Sequence, residues 1–304
     1  MAIQTPVGGY ALQAVQTPRI IDVDTAFSYQ MWERYRSRGE PRTWLSWQKT
    51  RRYEARLFQQ FDALTVVAAH EVDFLTTVLG CAGNVQVIAN GVDCDLNRPE
   101  MYPRVPGRLV YNGALTYGAN YDAMQFFLKD IYPAIKQARP GVTLSITGST
   151  KNVNTADLAL DNSVTLTGYI DDVRAVVGSS DVAVIPLRQG AGTRLKILEA
   201  MALGVPVVST SKGAEGLQVR PGEHLLIADE PRDFAAQTLR VMNDAALRRA
   251  LTGAARRLVE TQYNWFEIGR GFRELVESTV QRFDEQVNRR PKRGPALDTG
   301  ARRV

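Results

Sequence analysis

Cysteine and histidine are nearly missing from this chain: its 304 residues include two of each, Cys81, Cys94, His70 and His224. Two thiols make no disulfide framework, and none of the four residues stands at a metal-ligand spacing, which excludes a stapled scaffold and a zinc module. His70-Glu71 is not an H-E-x-x-H motif, because Phe74 occupies the position of the second histidine. Long apolar runs are missing too. Nothing approaches the roughly 18 consecutive apolar residues of a membrane-spanning helix, and the first ten residues lack a basic region followed by an apolar one. The expectation is a cytoplasmic protein, peripheral at most at the inner face of a membrane. There is neither an internal repeat nor a long low-complexity tract.

Charge is unevenly spread. The formal net charge is +5, and Arg289, Arg290, Lys292, Arg293, Arg302 and Arg303 alone contribute six positive charges. Without that tail the body is near neutral, which argues against a nucleic-acid partner. Residues 288–304 read as a disordered basic tail. With 44% hydrophobic residues, the rest has enough apolar material for a sizeable core.

From residue 108 onward, short β-branched runs alternate with helical stretches, the pattern of a parallel sheet covered on both faces. Strands are expected at 109–112, 142–147, 164–167, 181–186, 205–209 and 224–227. Helices are expected at 121–138, 171–178, 193–203, 232–242 and 244–260. Before residue 98 the rhythm is sparser: strands at 19–23, 63–68 and 85–88 and one long helix at 41–60. Residues 98–107 have linker composition. The organisation expected is therefore a partial α/β domain (1–97), a linker, a complete doubly wound Rossmann-like domain (108–264), and a helix (265–287) returning toward the first part.

The most informative stretch runs from Ile185 to Thr210 and encodes strand, glycine loop, helix, turn and strand. Gly190 and Gly192 let the backbone approach a ligand closely, and a helix beginning near Thr193 offers N–H groups and a positive dipole end to an anion. Arg194 and Lys196 add formal positive charge in that first turn, where cations disfavour the helix itself and call for an external anion. Thr193, Lys196 and Glu199 share one side of the helix, while Leu195, Leu198 and Met201 line the other. A carboxylate below a diphosphate site can accept hydrogen bonds from two ribose hydroxyls, and Glu199 is the candidate.

Residues 196–208, with Lys196-Ile197-Leu198-Glu199-Ala200-Met201-Ala202 followed by Gly204-Val205-Pro206-Val207-Val208, resemble the donor-site signature of family 4 glycosyltransferases. The turn Asn90-Gly91-Val92-Asp93, the stretch Tyr111-Asn112-Gly113, the run Gly168-Tyr169-Ile170 and the block Gly213-Ala214-Glu215-Gly216 are similar to that family as well. The resemblance implies a GT-B fold and a retaining, metal-independent transferase of polysaccharide or glycoconjugate biosynthesis. It would move a hexose-type unit from a nucleotide diphosphate sugar to a glycan or lipid-linked acceptor, with no cofactor. It also implies that Arg194 and Lys196 neutralise the diphosphate and that Glu199 holds the ribose. The backbone at Tyr169 and Ile170 would meet the base, and Gly113 would keep the first loop close to the donor.

Two features depart from the pattern. Ala191 stands where the family's E-x7-E has its first glutamate, which leaves backbone N–H groups to meet the sugar. The glycine-rich loop and first three or so strand–helix units of the acceptor-side domain have no counterpart before Arg19. A truncated, non-catalytic nucleotide-sugar-binding module is therefore the alternative reading. Asp22-Val23-Asp24 looks like a metal-binding DxD of another fold, but here the aspartates read as caps of the following helix. The aromatic and basic segment 31–53 is expected to pack in the core, with contact to an anionic membrane as its other reading.

Overall fold

The structure is a computed structural model that describes residues 2–4, 17–81, 84–190, 192 and 194–289. Two parallel sheets organise it. In the first, β1 (Ala2–Gln4), β2 (Ile20–Asp22), β3 (Ala63–Val66) and β4 (Asn84–Val87) lie side by side in that order. All of β3 is buried, as a strand covered on both faces must be. Helices α1 (Phe27–Arg38) and α2 (Pro41–Phe58) form a hairpin about Gly39, whose left-handed φ of 68° a side chain would resist. Helix α3 (Ala69–Thr77) then leads to β4. The sequence pattern foresaw three of these strands; β1 is too short for any periodicity to register.

The aspartates after β2 do not cap α1. Ala26 holds the cap position, and the carboxylate of Glu54, reaching across from α2, accepts from the N–H groups of Phe27 (2.8 Å) and Ser28 (3.0 Å). Asp22 instead accepts the Thr65 hydroxyl at 2.7 Å, and Asp24 lies in the left-handed region with φ 55°. The chain turns away from the helix axis too early for the short aspartate side chains to reach its first turn. A longer glutamate on the neighbouring helix supplies the cap.

The second sheet contains β5 (Arg108–Asn112), β6 (Thr143–Thr147), β7 (Val164–Gly168), β8 (Val182–Ile185), β9 (Val207–Ser209) and β10 (Leu226–Ile227), in the spatial order β10-β9-β8-β5-β6-β7. The chain runs outward from β5 to β7 and returns on the other side at β8. Strand order reverses between β5 and β8, and the crevice at their carboxyl ends is where ligands of such sheets sit. Helices α4 (Gly118–Phe126), α5 (Tyr132–Ala138), α6 (Arg174–Gly178), α7 (Leu195–Ala202), α8 (Pro231–Asn243) and α9 (Ala245–Gln262) accompany the sheet. The single helix expected at 121–138 is interrupted by a π-helical turn, Phe127–Ile131. Pro133, in the first turn of α5, has no N–H for the regular ladder, which accounts for the break.

Two contacts hold the two sheets together, and a third fixes the segment before β5. Val92 N–H donates to Tyr263 O (2.8 Å) while Trp265 N–H donates to Val92 O (3.3 Å), so the Asn90–Asp93 turn is stitched to the junction after α9. A methyl group at Gly91 would lie 2.5 Å from Ile268 Cδ1 and 2.6 Å from Tyr263 O, which explains the glycine. Helix α10 (Trp265–Arg289) then packs Phe272, Leu275 and Val276 against Ile20, Ala63 and Ile88 of the first sheet. Finally, the fully buried Asp181 accepts Gly107 N–H (2.8 Å) and pairs with Arg248 (2.5 Å) and Arg104 (2.7 Å), fixing the segment before β5 to β8 and α9. No helix among the described residues is long and apolar enough to cross a membrane.

Removing the reciprocal cap has a measurable cost. Glu54→Ala is expected to lower the unfolding free energy by about 1–2 kcal/mol, read from urea denaturation, with Glu54→Gln falling between it and the wild type.

Candidate functional site

Strand β8 ends at Ile185, and the loop that follows turns at Gly190 (φ 105°) and Gly192 (φ 88°) before α7 begins at Leu195. Both angles are ones that residues with a Cβ rarely adopt, so the loop depends on glycine. Ala191 and Thr193 lie outside the described residues, and Thr193 is therefore the one expected site residue without a described position. Arg194 occupies the cap position of α7 rather than its first turn, and the helix is correspondingly shorter than the 193–203 expected.

Arg194 is 6% exposed. Its Nη2 donates to the carbonyls of Gly190 (2.7 Å) and Lys212 (3.2 Å), and lies 3.8 Å from the carboxylate of Glu215. The guanidinium thus clamps the glycine loop to the loop after β9. Burial lowers its pKa, an effect that Glu215 opposes.

Lys196 lies two residues further on, within the first turn of α7. Its Nζ donates to the hydroxyl of Tyr111 (3.0 Å) and to Oδ1 of Asn120 (2.9 Å), and lies 4.3 Å from the centroid of the Tyr111 ring. Tyr111 in turn donates to Asn120 Oδ1 at 2.6 Å, and Asn120 Nδ2 donates to Ala114 O at 2.8 Å. No carboxylate among the described residues lies within ion-pair distance of Lys196. Burial, and secondly the neighbouring Arg194, push its pKa down to about 7, with Glu199 opposing. The place of Gly113 follows directly: a Cβ there would lie 2.6 Å from Lys196 Nζ and 2.9 Å from Asn120 Nδ2.

Glu199 projects from the next turn of α7 and accepts from Asn112 Nδ2 at 2.8 Å. Asn112 is oriented by Thr147, whose hydroxyl donates to its Oδ1 at 2.9 Å. Burial raises the Glu199 pKa, while the Asn112 amide and Lys196 lower it. Lys196 and Glu199 are therefore both held at the carboxyl ends of β5 and β6, at the switch point of the sheet. Tyr169 and Ile170 lie beyond the end of β7, two strands away; Tyr169 is 77% exposed and follows Gly168, whose φ is 70°.

The first sheet contributes the opposite wall. Glu33 of α1 accepts from Lys212 Nζ at 2.7 Å, and Lys212 also pairs with Glu215 at 2.5 Å. Across the same crevice, Gly216 (φ 83°) packs so closely on Ala68 and His70 that a Cβ would lie 3.1 Å from Ala68 Cβ. His70 stands in the first turn of α3 and stacks at 5.4 Å from Tyr29. His224 is structural: its Nδ1 accepts the N–H of Arg220 at 3.0 Å. Reading the sequence missed Tyr111, Asn112, Asn120 and Glu33. The first two were visible as part of a family-like stretch, but their functional partners lie more than eighty positions away.

The Glycosyl transferases group 1 family profile matches residues 106–244. Among curated proteins, a GDP-mannose-dependent monoacylated alpha-(1-6)-phosphatidylinositol monomannoside mannosyltransferase of Corynebacterium glutamicum is 30% identical over 158 residues, covering 48% of this chain and 42% of that protein. The chain spans about half the length of the curated relatives it matches. Among solved structures, sucrose-phosphate synthase from Thermosynechococcus elongatus superposes with a TM-score of 0.69 at 21% identity, covering 90% of this chain and 71% of that one. The HepE protein of Anabaena, solved with UDP and glucose, gives a TM-score of 0.69 at 17% identity, covering 90% and 74%.

The buried lysine has a consequence for stability. Its folded pKa of about 7 is below the unfolded value, so between the two the unfolded chain binds more protons and stability rises with pH. Below about pH 7 both states are protonated and the cost of the buried charge is fully present. Thermal unfolding of the ligand-free protein is expected to show wild type gaining stability relative to Lys196→Met as pH is raised from about 7 to about 10. A parallel pH dependence in the two proteins would contradict the burial of a titrating ammonium.

Proposed function

We propose, from the premise that the chain belongs to the group 1 glycosyltransferases and has the GT-B fold, that its switch-point crevice binds a nucleotide diphosphate sugar and transfers the sugar with retention of configuration to a glycan or lipid-linked acceptor. The observation that carries the proposal is Lys196: a desolvated ammonium at the carboxyl end of β5, fixed by a phenol and an amide oxygen and with no carboxylate partner among the described residues. An anionic ligand supplies the partner.

Arg194 sits at the cap of the same helix, so its guanidinium, the lysine and the helix N-terminus all favour negative charge in one place. As the bond from sugar to diphosphate breaks, charge builds on the leaving oxygen, and groups already fixed there stabilise it without having to reorganise. With two fixed cations in that role, the reaction proceeds without a divalent metal. Glu199, oriented by Asn112, takes the ribose hydroxyls, and the exposed Tyr169 and its neighbour Ile170 flank the base. Gly190 and Gly192 bring main-chain groups to the phosphates and sugar. Support for a nucleotide ligand also comes from the structural neighbour solved with UDP and glucose. The curated relative, named as GDP-mannose-dependent, makes the identity of the base a question for titration.

Calorimetric titration with UDP, GDP and ADP tests the site. Lys196→Ala is expected to weaken the preferred nucleotide by about ten- to a hundredfold, the worth of a charged hydrogen bond; Arg194→Ala and Glu199→Ala should weaken it as well. Equal binding by wild type and all three variants would sink the assignment. Donor-sugar turnover, unchanged by a chelator, should fall about a hundredfold or more in Lys196→Ala. Donor binding with neither transfer nor hydrolysis would identify a binding module instead. Phosphate binding should also raise the Lys196 pKa, so titrations at about pH 8 in buffers of different ionisation enthalpy are expected to show proton uptake that Lys196→Met abolishes.

A further inference from the structure

The outward side of α2 has a composition that neither the fold nor the donor crevice explains. Leu45, Lys49, Arg52 and Arg56 follow one another at helical spacing and are exposed, with Arg42 beside them. Trp44, Leu45 and Tyr53 are 44%, 49% and 45% exposed along the same helix. The opposite side of α2 is spent on the core through Thr43, Glu54, Leu57 and Phe58.

Among the described residues, the cations on this face are not engaged in ion pairs. Elsewhere in the chain some basic residues do have a carboxylate partner, as in Lys136–Asp161, Arg174–Asp172, Arg188–Asp122 and Arg270–Glu267. None of Arg42, Lys49, Arg52 and Arg56 has such a partner among the described residues. The carboxylates of the two helices are used elsewhere: Glu54 caps α1 and Glu33 pairs with Lys212. The helix pair is also rigidly backed, since Trp32 of α1 and Trp47 of α2 stack at 4.7 Å with Arg51 lying 5.4 Å from the Trp47 ring.

We propose that this face of α2 docks on an anionic phospholipid bilayer. The stripe from Leu45 to Arg56 covers about 16 Å of helix, long enough for several headgroups and straight enough to lie along a planar surface. The cations attract the anionic lipid surface, with Leu45 in the stripe itself and Trp44 and Tyr53 flanking it on opposite sides of the helix, where apolar bodies can be buried at the headgroup boundary while polar tips stay wet. Helix α1, locked to α2, carries Glu33 at the edge of the donor crevice. Docking through α2 therefore holds that crevice near the membrane surface. The proposal does not depend on the donor assignment.

Co-sedimentation of the full chain with vesicles tests it. Phosphatidylcholine vesicles containing about 30% phosphatidylglycerol should retain about tenfold more protein than phosphatidylcholine alone. The difference should collapse as salt rises from about 0.1 M to about 0.5 M. The double variant Lys49→Glu/Arg52→Glu should bring retention down to the neutral-vesicle level, and Trp44→Ala should reduce it severalfold, both with an unchanged circular-dichroism melting curve. Equal retention on both vesicle types, or retention that the double variant leaves intact, would overturn the proposal. So would loss of retention on neutralising the arginines and lysine of residues 289–303 while Lys49→Glu/Arg52→Glu has no effect. Single-stranded RNA bound at the same salt as tightly as the anionic vesicles, and equally sensitive to the double variant, would reassign the face to a polyanion.

Discussion

An ammonium group taken out of water needs a partner, and the partner of Lys196 in this fold is not a carboxylate. It is a phenol, an amide oxygen and the face of a ring, arranged at the end of β5. Such dipoles compensate a buried cation only in part, which is why its pKa falls to about 7. Much of the local architecture follows from keeping the group there. Gly113 must lack a side chain, because the lysine fills the space. Asn120 must hold its oxygen toward Nζ, which it does by donating its amide to Ala114. Tyr111, among the largest fully buried side chains, supplies both ring and hydroxyl. Keeping the ammonium there costs stability, a cost that an incoming anion would offset.

The parallel sheet makes that arrangement possible. Reversal of strand order between β5 and β8 opens a crevice into which α7 projects Lys196 and Glu199, with Asn112 and Thr147 relaying the orientation of the carboxylate from two adjacent strands. Hydrogen bonds from strand ends are a stiffer support than loop contacts would be, because each strand is fixed by its neighbours along its length. Arg194 has a different character. Two carbonyls and Glu215 surround it, so it organises the glycine loop as well as adding charge.

The two sheets meet around this site through charge on one side and close packing on the other. Lys212 joins Glu33 to Glu215, linking α1 to the loop that holds Arg194. Opposite, Gly91 and Gly216 allow backbone and side chains from different sheets to approach within contact distance. A bulky residue at either glycine would push the halves apart. The Asn90–Asp93 turn, which in sequence is only a family-like motif, is physically a place where the chain must pass under α10.

How much was legible in the residues depended on whether the signal was local. The alternation of apolar runs with helical stretches is a local property, and it established the parallel α/β class, the strands of the second sheet and the glycine loop ahead of α7. The cluster from Arg194 to Glu199 was legible for the same reason: residues three apart on one helix share a face whatever else the chain does. Long-range partners had no such signal. Nothing in the order of amino acids says that Tyr111 and Asn120 will meet Lys196, that Glu54 rather than Asp22 or Asp24 will cap α1, or that Ala2–Gln4 will add a strand. Sequence alone determined the strands of the second sheet and the presence of a cationic helix start after a glycine turn. The tertiary structure decided which neutral groups surround the lysine, and with them its proton affinity, because desolvation and hydrogen bonding are set by what packs around a charge and not by what adjoins it in the chain.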